Sequence, residues 1–139
     1  MSKLLDILLA DDPKGNDRPT EPFKWERKGV EIPCQGLFVD EIRALRKKAT
    51  RVAFNPKTHE REDQFDLNEY HDLLIIACTP DAPWTDQRVR EHYGVAEATA
   101  ALRKALRHVE DYGSLLEHYM KLSGIISGET RRPDEQVQN

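Results

Sequence analysis

The side chains able to do chemistry are few and scattered. Five histidines, His59, His71, His92, His108 and His118, could in principle ligate a metal or serve as general bases. Zinc hydrolases place two histidines at i and i+4, so that both imidazoles leave one helix face, and no pair here has that spacing. His71-Asp72 and Glu117-His118 are sequence neighbours, so a helix points the two members of each pair in different directions. They read as structural or surface histidines. Cys34 and Cys78 lack a near Cys or His at zinc-ligand spacing, and two thiols make no disulfide scaffold. Cys78 ends the run Leu73-Leu74-Ile75-Ile76-Ala77-Cys78, where a thiol behaves as a small apolar group. Cys34 falls on a hairpin where it could meet solvent, with nothing beside it to depress its pKa.

Ser2, Ser114, Ser123 and Ser127 lie outside any Gly-x-Ser-x-Gly elbow. Gly94, Gly113, Gly124 and Gly128 are too dispersed for a phosphate loop. The carboxylate pairs Asp11-Asp12 and Glu62-Asp63 fall in polar stretches expected to be loops, where charges are solvated. These patterns predict a protein that is not an enzyme and takes no cofactor or metal. The one concentrated cationic patch is Arg43, Arg46, Lys47, Lys48 and Arg51. No aromatic platform interleaves with it, so an acidic protein surface suits it better than nucleic acid, and a solvated helix face is its plain reading.

Composition limits the elements that can position any site. Leu, Ile, Val and Phe are 32 of 139 residues, little above the level of about 20% below which a charged chain stays disordered. Mean hydropathy is −0.73, so the core must be small. A net charge of −4 argues against nucleic acid, which recruits a basic surplus. The longest apolar run is far short of the roughly 18–20 residues of a membrane span. Together with the absence of a secretory pattern, this predicts a soluble protein of the cytoplasm.

Residues 3–10 suggest a short helix with Leu4, Leu5, Leu8 and Leu9 on adjoining faces, too short to be stable undocked. Residues 11–22 are turn formers and charges, and read as a linker. Alternation of Phe23, Trp25 and Arg27, then Val30, Ile32 and Cys34, about a Lys28-Gly29 turn predicts a hairpin ended by Pro33. Val39, Ile42, Leu45 and Ala49 form a helical stripe, and 51–64 is a second hairpin or a loop. Asp66 caps the central helix, with Glu69 placed for a capping box, and Thr79-Pro80 ends it. Short helices follow before Tyr93-Gly94 and over 96–107. A last helix, Val109–Leu122, carries Val109, Tyr112, Leu116, Tyr119 and Leu122. The expected architecture is α+β: a small N-terminal β-hairpin followed by a mainly α-helical bundle of four to five helices. Its parts are a Leu-rich segment and linker (1–22), one domain (23–126) and a disordered tail (127–139).

The order of these segments resembles a known family. A "KLLDILLADDPK" start precedes a hairpin and the helix "VDEIRALRKKAT". A helix then runs into "LLIIACTPDAPWTDQRVREHYGV", and the last ends in "LLEHYMKLSGI". Ile76-Ala77-Cys78-Thr79-Pro80-Asp81, Tyr93-Gly94-Val95 and Leu122-Ser123-Gly124-Ile125 carry the likeness, which is to the XkdN-like phage tail assembly chaperones. The chain departs from that pattern at His108-Val109-Glu110-Asp111, where a Gly-Glu step is usual. The resemblance implies a non-catalytic protein of the host cytoplasm, absent from the mature particle. It would bind the tape measure protein and keep it soluble during tail assembly, and could also meet the tail tube protein or copies of itself. A structural tail or connector/completion protein is the alternative. The candidate partner-binding residues are Leu4, Leu5, Leu8, Leu9 and Trp84. Against this stands a plainer expectation, in which residues 3–10 fold back as a cap and Trp84 plugs the core.

Overall fold

Lys3–Ala10 form α1, an amphipathic pattern with no buried residue. In the computed structural model, which describes residues 3–15, 17–81 and 83–125, the chain then runs to a first hairpin. Its strands, β1 (Phe23–Trp25) and β2 (Val30–Ile32), pair antiparallel with Phe23 opposite Ile32 and Trp25 opposite Val30. Lys28 N–H donates to Trp25 O, and Gly29 takes φ 66°, which a side chain would resist. β2 stops before Pro33, which has no N–H to donate. The hairpin is fastened to the last helix through Asp111, whose Oδ2 accepts from Trp25 Nε1 (3.1 Å) and Arg27 Nε (2.7 Å).

Helix α2 (Val39–Lys48) begins where Glu41 Oε1 accepts the Phe38 N–H and ends at Ala49. The polar stretch after it is a second hairpin rather than a loop. β3 (Thr50–Arg51) pairs with β4 (Gln64–Phe65), and Phe54 bridges Arg61 further out. Asp66 caps α3 (Leu67–Cys78) by accepting the Glu69 N–H. The other half of the expected capping box is replaced: Asp66 N–H donates to Ala49 O and closes the second hairpin onto α2. α3 is central, packed against α2, α5 and α6, with Leu74, Ile75 and Cys78 fully enclosed.

A short 3-10 turn, Pro83–Thr85, leads to α4 (Gln87–His92). The Asp86 side chain caps α4 through the Arg88 N–H and also pairs with the Arg88 guanidinium, which together hold its carboxyl down to about 2. Helices α5 (Ala98–Ala105) and α6 (Val109–Leu122) complete an α+β fold with a mostly helical body. On α6 the inward row is Leu115, Tyr119 and Met120, flanked by Tyr112, Leu116 and Leu122. Val109 departs from the expected stripe. It is the first residue of α6 and stands 88% exposed, before the helix reaches the body.

The linker-like composition of 11–22 hides a tethered stretch. Gly36 N–H donates to Pro19 O, Glu21 N–H to Cys34 O, and Thr20 bridges Gln35. Arg18 donates to Gly36 O (3.0 Å) and Glu41 Oε1 (2.6 Å). The expected tail, 127–139, lies outside the described residues.

Candidate partner-binding surface

The sequence motifs at the ends of α3 and α6 meet in space and are structural. Gln35 N–H donates to Cys78 O, Gln35 Nε2 to Ala77 O, and Leu37 N–H to Ser123 Oγ. The segment 35–37 thus satisfies carbonyls that the end of α3 leaves without a helical partner. Beside it, the Thr79 hydroxyl is saturated. It donates to Ile75 O (2.7 Å) and accepts from Trp84 Nε1 (3.0 Å) and the Tyr119 hydroxyl (2.6 Å). All three polar side chains are buried. Burial raises the Tyr119 phenol above its ordinary value, so it stays a neutral donor.

A second polar cluster is centred on Asp72, which is 3% exposed. Its carboxylate accepts from the Tyr112 hydroxyl and pairs with Arg103. Burial, and then the Asp72 charge, push the Tyr112 phenol up, so it too remains a donor. This is a buried carboxylate on α3, paired with Arg103 of α5 and Tyr112 of α6 where the three helices pack.

Cys78 is enclosed as expected, and burial lifts its thiol to about 12. Cys34 corrects the expectation that it could meet solvent. It is 2% exposed, donates to Ile32 O, and has its pKa raised by burial. It lies past β2, where the chain turns under α3 and α6, so the hairpin's outer face never reaches it. Neither thiol should react with an aromatic disulfide reagent in the folded protein, and both should react after denaturation. Fast labelling of either in the native state would contradict this packing. Among the described residues no three His, Cys, Asp or Glu side chains converge as a metal site. His118 spends its Nε2 on Glu21 O, and His71 is half-buried, with its pKa lowered by desolvation.

What remains is surface. On α1, Leu4, Leu8 and Leu9 are 63%, 61% and 76% exposed, Ile7 is 58%, and Leu5 is about half exposed. An eight-residue helix so apolar is costly in water, at about 1.5–3 kcal/mol for each large side chain left uncovered. Trp84 is placed differently. It is buried at 7% exposure on the Thr79 hydroxyl, and shows only an edge to a cleft of about 550 Å³. Trp25, Pro83, Val89, Tyr93 and Ala105 line the same cleft. The leucines and Trp84 therefore belong to two separate surfaces. The cleft is the feature sequence reasoning missed, because Trp25 and Val89 lie far apart in the chain.

The comparisons agree with the resemblance of the motifs. A family model described as phage XkdN-like tail assembly chaperone protein matches residues 5–136. The fold is similar to the crystal structure of the protein YqbN, with a TM-score of 0.61 at 13% identity over 82% of this chain and 92% of that one. No curated protein matches the chain in sequence. With almost its whole length matched by the family model, this chain belongs to the XkdN-like phage tail assembly chaperones.

Proposed function

We propose that the protein binds the tape measure protein, the long helical and partly apolar rod of the tail, and keeps it soluble until the tube surrounds it. The observation that carries this reading is α1: four large apolar side chains, each more than half exposed, on a helix that buries none of them in its own domain. An amphipathic helix presenting i, i+4 anchors is a common way to meet another helix. The Leu4/Leu8 pair has that spacing. The Trp84 cleft offers a second apolar surface to the same partner. Many acidic copies along a rod give avidity from modest single contacts and release it as tube subunits compete. The protein acts by binding rather than catalysis, in the host cytoplasm, and leaves before the particle is finished.

The test is Leu4→Glu with Leu8→Glu. Both side chains already stand in solvent, so the melting temperature should stay within about 2 °C of the parent. Co-purification of the co-expressed tape measure protein should be lost. Capture that survives the double variant overturns the assignment of α1. Mass spectrometry of purified tails checks the role itself, since stoichiometric presence of the chain would make it a structural component.

A further inference from the structure

We infer that the cleft beside Trp84 takes an acidic amphipathic helix of the tape measure protein, an assignment that rests on the binding function proposed above. Apolar side chains of that helix sit on the cleft floor and its carboxylates meet a cationic rim. The floor is the edge of Trp84 with Trp25, Val89 and Tyr93, all three half-buried. The cleft is open-sided, so it suits a chain segment lying across it better than a small molecule, which needs most of its surface enclosed. A second depression is lined by Arg103, Lys104 and Arg107 and shares His92 and Tyr93 with the first. The two therefore meet at the end of α4, and a segment that starts on the tryptophans runs on to the cations.

Charge decides what fits. Among the described residues Asp86 is the one carboxylate lining either depression, and Arg88 Nη2 holds it at 2.8 Å. Arg103 is spent on Asp72. Lys28, Lys104 and Arg107 have no carboxylate partner among the described residues, and Lys104 reaches only Tyr93 O at 3.3 Å. Glu91 and Glu97 are near in sequence but line neither depression, and Glu91 accepts from Gln87 Nε2. Three uncompensated cations thus border an aromatic floor on a chain of net charge −4. A neutral or basic helix gains nothing from them, whereas an acidic one is steered in and fixed in register. Such a helix is apolar on one face, as a groove of this kind requires.

The experiment titrates the full-length protein with peptides that tile the tape measure protein, any tryptophan in them replaced by phenylalanine. Tiles of about 20 residues span about 30 Å as helices. The chain has two tryptophans and both line the cleft, so their emission reports its occupancy. Saturable shifts are expected from tiles that combine an apolar i, i+4 pair with net negative charge. Lys104→Glu with Arg107→Glu should weaken the best tile about tenfold or more, because like charges then face each other. Leu4→Glu with Leu8→Glu lies on the other surface and should leave tile binding unchanged. Both cations are exposed, so unchanged melting certifies the fold. Lys28→Glu, on the hairpin turn, gives the same readout from another element if the α5 variant melts lower. Suppose the tape measure protein co-purifies, yet no acidic tile binds, basic tiles bind better, or binding ignores the charge reversals. Any of these overturns the cleft assignment and leaves that of α1 standing. A parent chain that never captures the tape measure protein overturns both.

Discussion

Thr79→Val should lower the melting temperature by about 10 °C, while Thr79→Ser should leave it almost unchanged. Valine keeps the shape of threonine, and Thr79 sits at φ −99°, ψ 111°, an extended conformation that a β-branched residue adopts without strain. The effect must then come from the hydroxyl. Removing it strands the buried Trp84 N–H, leaves the buried Tyr119 hydroxyl with only the weakly accepting Cys34 thiol, and takes a donor from Ile75 O. Each unsatisfied buried group costs about 1–3 kcal/mol, so a total of about 3 kcal/mol is expected. For a domain of this size that is about 10 °C. Serine keeps the oxygen and loses one methyl. Thermal unfolding followed by circular dichroism checks both variants. Equal, small changes for valine and serine would mean that the three-way hydrogen bond does not hold α3, α6 and the 3-10 turn together.

Gly36→Ala is expected to be as damaging for a different reason. A Cβ at Gly36 would lie 2.7 Å from Pro19 Cγ and 2.9 Å from the Leu122 carbonyl carbon, with the Leu122 carbonyl oxygen closer still. These are a tethered ring and a helix backbone, neither of which can swing aside as a long side chain can. The cost belongs at the top of the overpacking range, about 3 kcal/mol. Gly113→Ala is the contrast. It lies inside α6, nothing would meet its Cβ within 4 Å, and alanine should stabilise by about 0.5–1 kcal/mol through helix propensity. Urea unfolding of the pair gives opposite signs if the packing at Gly36 is as described. A tolerated Gly36→Ala would mean that the segment 35–37 does not thread between Pro19 and the end of α6.

The family was legible because its signature is an order of local motifs, and local motifs are what a sequence displays. Phage tail assembly could be read from "IIACTPD", "YGV" and "LSGI" without knowing that two of these meet in space. The exposure of Leu4, Leu8 and Leu9 was open either way from the sequence. A short apolar helix after a polar linker can dock or dangle with the same periodicity.

By itself the sequence determined most of the elements: the Gly29 turn, the stop before Pro33, the cap at Asp66, and the Val109–Leu122 span of α6. These follow from dihedral preference, missing donors and side-chain caps, which act within a few residues of themselves. Tertiary structure alone decided that Cys34 is buried, that Trp84 rests on Thr79, that Pro19 meets Gly36, and that Val52, Phe54 and Phe65 face outward. Burial depends on which element crosses a residue, and the crossing of 35–37 with the ends of α3 and α6 joins positions some 40 to 90 apart. No periodicity spans that distance, because the hydrogen bonds that close it exist only once the helices have packed.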